Sequence, residues 1–268
     1  MHNSILKLEN ILNDLQSGFI STKEAKKLLS LYSIEKISNK MKLDVGRKYR
    51  NNIPEVIYAE VKQFIEIKQA TKKILEKSDT VFLSRLKKSD YIKIIKYAEK
   101  NNWILNKGRN TTSILIQKKM TKCDDGYVGI LTAGTADVGI AEEARLMCEA
   151  MNCKCVCDYD VGVAGIHRLF PAIKKLIKKD VSSIIVVAGM DGALASVVSA
   201  LVNIPVIGVP TSVGYGYGKK GIASLASMLQ SCSPGLAVVN IDNGIGAGAI
   251  ASNIANTKKL NVNYSKVS

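Results

Sequence analysis

Apolar residues in the first part of the chain recur at helical spacing. The first stripe consists of Ile5, Leu8, Leu12 and Leu15. Gly18 is placed to end that helix, and the capping box Ser21-x-x-Glu24 begins a second one. We therefore predict that the chain starts with a helical hairpin, which we interpret as a docking or assembly element.

The next segments alternate between helix and strand patterns. We predict helices over residues 60–76 and 89–100, and strands over residues 80–84 and 112–117. Ser89 is a candidate N-cap for the second of these helices. Together the segments predict a small α+β domain with no catalytic constellation of its own.

From Gly126 the pattern changes to short continuous apolar runs separated by glycine-rich turns. Continuous runs are typical of strands that are covered on both faces. The predicted strands are 128–132, 153–159, 183–188, 206–209 and 237–241, and the predicted helices are 142–151, 166–178, 193–201 and 222–230. This alternation predicts a doubly wound parallel sheet of the flavodoxin-like kind, with ligands at the carboxyl ends of its strands. Turns 133–139, 160–167, 189–192, 210–221 and 242–248 should meet there.

Charge and glycine content divide the chain near Lys122. Residues 1–122 hold 26 Lys and Arg against 12 Asp and Glu, whereas residues 123–268 hold 12 against 11. Glycine divides the other way, with 3 before the boundary and 17 after it. We predict a basic N-terminal domain over 1–122 and a glycine-rich catalytic α/β domain over 123–268. The lysines are dispersed and no nucleic-acid motif accompanies them, so we expect no nucleic-acid partner.

Composition also bears on the compartment. No run approaches the roughly 20 apolar residues of a membrane span, so we expect no membrane partner. The charged residues of the first 16 positions are untypical of a secretory signal. Six cysteines without such a signal indicate free thiols in a reducing compartment, and we expect a cytoplasmic protein.

Two stretches carry candidate binding chemistry. After the predicted strand 128–132, Thr135 and Asp137 lie beside the free amides of a helix start, which is an anion site in its own right. The alternative is an ordinary turn in which Asp137 or Thr135 only caps the helix. Further upstream, Arg47 and Arg50 follow Asp44 at intervals of three and suit phosphate or carboxylate recognition, unless they are solvated surface arginines.

The turns of the second half resemble those of one known family. The matching segments are Thr132-Ala-Gly-Thr-Ala-Asp137, Tyr159-Asp-Val-Gly-Val-Ala-Gly-Ile-His167-Arg168, Ala188-Gly-Met-Asp191-Gly-Ala, Pro210-Thr-Ser-Val-Gly-Tyr-Gly216, Ser231-Cys232 and Val239-Asn-Ile-Asp-Asn-Gly244. They are similar to the pyridinium-3,5-biscarboxylic acid mononucleotide synthases, which begin the synthesis of the nickel-pincer cofactor of lactate racemase. The catalytic half of that family is itself similar to the carboxyaminoimidazole ribonucleotide mutases. The resemblance is strongest over residues 123–255 and weaker over 44–57 and the helical start.

The resemblance implies a reaction. Nicotinic acid adenine dinucleotide would be carboxylated at ring carbon C5 by CO2 and cleaved at its phosphoanhydride, releasing AMP. Addition of a thiolate at C4 or C6 would make C5 nucleophilic, and the resemblance places that role on Cys232. A lone loop cysteine is otherwise usually a bystander. Cys153, Cys155 and Cys157 alternate along a predicted strand and are interpreted as core filler, with Cys123 and Cys148 unassigned.

The resemblance also assigns the remaining candidate residues. Asp191 stands where the family commonly has glutamate, one methylene longer, which leaves open whether it reaches C5 as a base. His167 is a candidate proton carrier or carboxylate-binding group, unless it only bonds a helix start. Asp137 would bind ribose hydroxyls or orient the substrate. The full set of expected substrate-binding residues is Gly134, Thr135, Asp137, Gly165, Arg168, Gly189, Met190, Ser212, Gly214, Asp242, Asn243, Arg47 and Arg50.

We further expect Mg2+, no organic cofactor beyond the dinucleotide, and a homo-oligomer, an octamer by the resemblance. Nearly apolar helices such as residues 193–201 also favour assembly, because they offer little polar surface to water. Two alternatives remain: an enzyme of the carboxyaminoimidazole ribonucleotide mutase type, and a non-enzymatic dinucleotide-binding protein.

Overall fold

The computed structural model describes residues 2–29, 34–38, 41–44, 52–120 and 126–264, with side chains over residues 9–29, 52–120 and 126–257. Arg47, Arg50 and Cys123 lie outside this part of the chain. Within it, no helix combines the length and apolar character needed to cross a membrane.

The chain begins with the predicted pair of helices, α1 (His2–Gln16) and α2 (Thr22–Leu29). The capping box of α2 is confirmed: the Glu24 carboxylate accepts from the Ser21 backbone N–H at 2.9 Å, and Ser21 Oγ accepts from the Glu24 N–H at 3.2 Å. An antiparallel pair that the sequence did not predict follows, β1 (Ile34–Ser38) and β2 (Met41–Asp44).

A mixed sheet occupies the rest of the first half. Its described strands lie in the order β3 (Val56–Tyr58), β4 (Thr80–Ser84), β6 (Ile114–Gln117) and β5 (Ile104–Lys107). Helices α3 (Phe64–Lys77) and α4 (Lys88–Lys100) supply the apolar cover of one face. The predicted N-cap at Ser89 is wrong, because α4 already begins at Lys88 and its N-cap is Lys87.

The second half is the predicted parallel sheet with flanking helices. Its described strands are β7 (Tyr127–Thr132), β8 (Lys154–Asp158), β9 (Ser183–Ala188), β10 (Val206–Pro210) and β11 (Leu236–Val238). They lie in the order β11-β10-β9-β7-β8, and every neighbouring pair is parallel. This is the flavodoxin-like order, with its switch point between β7 and β9. The fold class predicted from the apolar runs is therefore confirmed.

Two helix layers cover the parallel sheet. Helices α6 (Leu169–Lys178), α7 (Ala193–Leu201) and α8 (Ile222–Leu229) pack on one face. Helices α5 (Val138–Ala150) and α9 (Gly244–Tyr264) pack on the other. The second pair also contacts the mixed sheet, because Phe82 and Leu115 pack against Leu146 and Met147 of α5. Helices α5 and α9 thus form one layer that both sheets share.

Some predicted boundaries in the second half need correction. Helix α9 was not predicted, because Gly244-Ile-Gly-Ala-Gly-Ala reads as a loop on helix propensity. The last strand ends at Val238 and does not continue to residue 241. Residues 163–168 form 3-10 turns with a kink at Gly165, and the regular helix starts only at Leu169.

Candidate functional site

The five glycine-rich turns meet at the carboxyl edge of the parallel sheet. The end of β7, from which the first turn leaves, contacts the second turn, since Val161 N–H donates to the Thr132 carbonyl at 2.9 Å. The third and fourth turns are joined by Met190 N–H, which donates to the Val213 carbonyl at 3.1 Å. A side chain on Gly189 would collide with that same carbonyl, at 2.2 Å from the position of a Cβ. The close approach of these two turns therefore requires glycine.

Asp137 is the buried centre of this edge. Its Oδ2 accepts from the Gly134 N–H at 2.9 Å, and its Oδ1 accepts from Thr211 Oγ1 at 2.7 Å. Burial raises the pKa of Asp137 above its ordinary value, although these bonds and one from the Gly189 N–H oppose the rise. With 3% of its surface exposed, Asp137 ties three turns together. Direct contact of Asp137 with ribose stays a prediction.

The third turn presents Met190 and Asp191 to solvent. Met190 has a positive φ of 53° and is 39% exposed. The Asp191 Oδ1 accepts from the Ala193 N–H at 3.2 Å at the start of α7. One carboxylate oxygen of Asp191 thus stabilises the start of α7, and its role as the C5 base stays a prediction.

The last turn is anchored through Asp242. Its Oδ1 accepts from the Ser212 N–H at 2.8 Å, and its own N–H donates to the Pro210 carbonyl at 2.9 Å. The next residue, Asn243, accepts from the Gly246 N–H at 2.9 Å and so stabilises the start of α9. The fourth and fifth turns are thereby held side by side.

The second turn carries His167 and Arg168, and both side chains are exposed. The Arg168 guanidinium pairs with the Asp160 carboxylate at 2.5 Å and lies over Gly165. A salt bridge that is exposed on both sides contributes little to stability. Arg168 can therefore leave Asp160 for an anionic ligand at small energetic cost.

An arginine that the sequence reasoning missed reaches this edge from the first half. Arg85 follows β4, and its Nη2 donates to the Asp242 carbonyl at 2.8 Å. Its backbone has a positive φ of 52°, and its N–H donates to Ser113 Oγ at 3.1 Å. Burial alone would lower the pKa of Arg85, but the charge of Glu143 and contact with Tyr58 raise it. The guanidinium is therefore a fixed cation at the site.

Glu143 of α5 lies beside this arginine and is buried. Ser113 Oγ donates to its Oε1 at 2.6 Å, and Thr111 Oγ1 lies 3.4 Å from the same atom. Among the described residues, no group forms a hydrogen bond with Glu143 Oε2. Burial raises the pKa of Glu143, although Ser113 and Arg85 oppose the rise.

These groups line a pocket of about 590 Å3 between the two halves of the chain. The loop at Asn110 closes one side, and its carbonyl would lie 2.5 Å from a Cβ on Gly139. At Gly139 the first half of the chain therefore closely approaches the start of α5. The lining residues are Arg85, Lys88, Asn110, Thr111, Thr112, Ala136, Gly139, Ile140, Glu143, Ser212, Val213 and Asp242.

Cys232 does not lie at this edge within one copy of the chain. It precedes β11, and its loop is held by Ser233 Oγ, which donates to the Ser196 carbonyl at 3.0 Å. Gly235 pairs with Val206, the first residue of β10, whereas Thr211 follows the last residue of that strand. At ~3.3 Å per residue, the strand separates the two edges by about 13 Å. The exposed Cys232 thiol is therefore at the amino edge of the sheet.

The other described cysteines are unsuited to nucleophilic chemistry. Cys148 and Cys153 are buried in the core beneath the sheet. Hydrogen bonding with Cys148 and burial hold the pKa of Cys155 well above its usual range, and burial raises the pKa of Cys157 to about 11. Because the thiolate is the reactive form, these thiols are largely inert at neutral pH.

A second pocket of about 710 Å3 lies between the edge strands β5 and β8, and Cys155 and Arg145 line it. It contains none of the five turns. Arg145 is engaged there with Glu142 and Glu149.

No group of three His, Cys, Asp or Glu side chains that could hold a metal ion occurs in the part of the chain described here. The Mg2+ expected from the sequence therefore has no side-chain cage among these residues. Mg2+ often binds through one or two carboxylates together with substrate phosphates.

Comparison with known proteins finds a family match for each half of the chain. Residues 127–266 match the family described as AIR carboxylase, and residues 34–107 match the LarB/PurE-like N-terminal domain. An uncharacterized protein of Methanocaldococcus jannaschii is 47% identical over 252 residues, covering 92% of this chain and 96% of that protein.

Two more distant relatives carry a functional name. The N5-carboxyaminoimidazole ribonucleotide mutase of Pyrococcus abyssi is 31% identical over 145 residues, which cover 52% of this chain and 79% of that enzyme. A probable mutase of the same name from Methanothermobacter thermautotrophicus is 33% identical over 132 residues, covering 47% of this chain and 37% of that protein. The chain therefore belongs to the AIR carboxylase family, a family of carboxylase and mutase enzymes, and carries a LarB/PurE-like N-terminal domain ahead of its parallel sheet.

Proposed function

We propose that the protein carboxylates C5 of the pyridinium ring of nicotinic acid adenine dinucleotide and hydrolyses its phosphoanhydride. The products would be pyridinium-3,5-biscarboxylic acid mononucleotide and AMP, as in nickel-pincer nucleotide synthesis. The observation that carries the proposal is the contact of Arg85 with the Asp242 carbonyl. It joins the LarB/PurE-like domain to the turns of the AIR carboxylase-type sheet in one pocket.

The proposed chemistry needs a nucleophile that can also leave. The Cys232 thiolate forms a C–S bond at C4 or C6, and a pair of ring π electrons moves to the ring nitrogen. C5 of the resulting dihydropyridine then attacks CO2 and forms a C–C bond. Transfer of the C5 proton to a base, for which Asp191 is the candidate, and departure of the thiolate with the C–S electron pair restore the pyridinium. Sulfur suits both steps, because its thiolate is nucleophilic and a good leaving group.

The position of Cys232 adds a requirement to this mechanism. Its thiol lies at the amino edge of the sheet, whereas Arg85, Glu143 and Asp242 lie at the carboxyl edge. We therefore propose that the site is completed by a second copy of the chain, within the homo-oligomer expected from the sequence. Exposed apolar side chains along α8 and on the turn before it are available for such a contact, namely Leu229, Ile222, Tyr215 and Tyr217.

The covalent step can be observed without turnover. A thiol adduct is a dihydropyridine, which absorbs in the near ultraviolet, so enzyme and substrate mixed without CO2 should develop a new absorbance. Cys232→Ser should abolish it and leave dinucleotide binding nearly unchanged, since serine is similar in size but far less ionised. Cys157→Ser is the matched control and should keep the absorbance. Biscarboxylate formation by Cys232→Ser would disprove the covalent mechanism.

Subunit complementation tests the shared site. Arg85→Gln should weaken apparent binding by about ten- to a hundredfold, since a charge-assisted hydrogen bond is lost. When Cys232→Ser and Arg85→Gln chains are mixed and reassembled, about a quarter of the sites should be intact if each copy contributes one residue. At a dinucleotide concentration too low to saturate the Arg85→Gln sites, activity would then rise above that of the Arg85→Gln chain alone. If both residues of a site come from one chain, the mixture shows only the weakened activity of the Arg85→Gln chain.

A second candidate is the mutase reaction itself. Two relatives named as N5-carboxyaminoimidazole ribonucleotide mutases support it, although each aligns with about half of this chain. Conversion of N5-carboxyaminoimidazole ribonucleotide, without turnover of nicotinic acid adenine dinucleotide, would favour this candidate. The opposite pattern would exclude it.

A further inference from the structure

The pocket between the two halves contains a buried carboxyl whose hydrogen bonding is incomplete. Glu143 is 2% exposed, and its Oε1 already accepts from Ser113. Its Oε2 has no hydrogen-bond partner among the described residues. Buried polar groups in folded proteins are nearly always satisfied, and Glu143 is one of the residues that line the pocket, so a ligand bound there can supply the partner that Oε2 lacks among the described residues.

The charged groups around Glu143 determine the protonation state in which its carboxyl meets a ligand. Arg85 faces the carboxyl from the turn after β4, and Asp242 faces it from the turn after β11. Lys88 is the other charged residue of the pocket wall. Ser113 and Thr111 contribute hydroxyls only. With Glu143 neutral, the pocket has two cations against the single anion Asp242, and it favours a negatively charged ligand.

We propose that Glu143, Arg85 and Lys88 form a subsite for an anionic oxygen of the bound substrate, to which Glu143 donates a hydrogen bond as a neutral carboxylic acid. The proposal rests on the proposed function, whose substrate offers two such anions, the ring carboxylate and a phosphate. A carboxyl that donates from Oε2 satisfies the otherwise unpartnered atom. An ionised Glu143 would instead face the ligand anion with its own charge.

The subsite makes binding depend on pH. Burial raises the pKa of Glu143 in the folded protein, so the donating form persists above pH 4.5, the ordinary value. As pH rises through the raised pKa, the carboxyl ionises and the ligand loses a donor and gains a repulsive neighbour. Affinity should therefore fall with rising pH, by about ten- to a hundredfold for the loss of a charged hydrogen bond.

The experiment uses two ligands that cannot undergo phosphoanhydride cleavage, bound to the full-length protein without added CO2. Nicotinic acid riboside carries the ring carboxylate but no phosphate, whereas nicotinamide mononucleotide carries the phosphate but no carboxylate. Calorimetric titration of each from pH 5 to pH 8 shows which anion occupies the subsite. Glu143→Gln keeps a neutral donor and cannot ionise. The variant should retain the affinity that the wild type has at low pH, and this affinity should no longer decrease as pH rises. Any decrease caused by titration of the ligand itself should be the same in the variant and the wild type.

Two further variants make the test independent of one substitution. Glu142→Gln is the matched control. Glu142 precedes Glu143 in the chain, but its own carboxylate pairs with Arg145 and Tyr159, and the residue does not line the pocket. This variant should keep the wild-type pH profile. Asp242→Asn removes a charge that raises the pKa of Glu143, and it should move the fall to lower pH.

An unchanged pH profile in Glu143→Gln, an unmoved midpoint in Asp242→Asn, or failure of both ligands to bind would each overturn the subsite. These outcomes are separate from the proposed reaction. If the protein turns over nicotinic acid adenine dinucleotide but its ligand binding does not depend on Glu143, only the subsite is disproved. If ligand binding depends on Glu143 but the dinucleotide is not turned over, only the proposed reaction is disproved.

Discussion

Asp137 shows how a single buried carboxylate organises the carboxyl edge of the parallel sheet. It receives hydrogen bonds from Gly134 in the first turn and from Thr211 in the fourth. Both donors would lose their partner if the carboxylate were removed. Buried donors without acceptors cost about 1–3 kcal/mol each, so the turns depend on this one side chain.

Two substitutions at Asp137 should separate its structural role from its charge. Asp137→Ala should lower the free energy of unfolding by about 2–5 kcal/mol, because the donors are left unpaired. Asp137→Asn should cost less, since its amide oxygen still accepts and the Thr211 hydroxyl can turn to accept from the amide nitrogen. Urea unfolding of both variants measures the difference. Equal losses would show that the hydrogen bonds do not stabilise the turns.

The charge of Asp137 also predicts a pH dependence. Its pKa is raised above 3.8 in the folded protein, so over the interval above that pH the native state holds more protons than the unfolded state. The free energy of unfolding contributed by Asp137 therefore falls as pH rises through the folded pKa. Asp137→Asn should remove this fall. An identical slope of stability against pH in the variant would contradict the assignment.

Sequence reasoning identified the importance of Asp137 but not of Arg85 or Glu143. Asp137 lies within a recognisable strand-turn-helix stretch, so local pattern suffices. Arg85 and Asp242 are 157 positions apart, and no local periodicity brings them together. Glu143 reads as an ordinary acidic residue near the start of α5, because its burial comes from the mixed sheet above it. Arg47 and Arg50 lie outside the described residues and stay predictions.

At the scale of elements, the packing of α5 against α9 fixes the spacing of the first and fifth turns of the site, because these two helices begin at those turns. Gly248 of α9 packs against the backbone of α5, where a Cβ would lie 2.6 Å from the Ala144 carbonyl. The glycines that made residues 244–249 read as a loop are therefore helical contact positions. Helix propensity failed to predict α9 because tertiary packing overrides the cost of glycine in a helix.

A pair of glycine substitutions in α9 tests this interpretation. Gly248→Ala should destabilise the protein by about 1–3 kcal/mol, because the new methyl group meets fixed backbone and forces the helices apart. Gly246→Ala is the matched control. Its methyl group would meet the Asn243 side chain, which can move but then no longer accepts from the Gly246 N–H at the start of α9. The loss of that cap offsets the ~1 kcal/mol by which alanine favours helix, so the net effect should be small. Chemical denaturation should show a clear loss of stability in Gly248→Ala and little change in Gly246→Ala, and equal losses would contradict the packing argument.

At the scale of the whole molecule, the shared helix layer couples the two sheets. Alternation along β4 directs Val81 and Leu83 to α3 and α4, and Phe82 to α5. Both faces of this strand are therefore buried. The change in composition near Lys122 does not reveal this packing between the halves, because charge and glycine content do not report which residues are in contact.

Coupling through this layer predicts one cooperative unfolding transition. Phe82→Ala should lower the free energy of unfolding by about 3–5 kcal/mol and shift the whole transition, since it opens a cavity between the halves. Phe19→Ala is the matched control, because Phe19 is 84% exposed and should change little. Calorimetry measures both. Two separated transitions in the wild type would show that the halves unfold independently.

The layer shared by the two sheets also limits how the chain can be divided. A fragment that begins at residue 126 keeps the entire parallel sheet but loses the cover over Leu146, Met147, Met151 and Ala249. Those side chains would then form a contiguous exposed hydrophobic surface on an otherwise intact fold. Such surfaces drive aggregation of truncated proteins. Expression of the second half alone should therefore yield insoluble material, even though its strands and turns are all present.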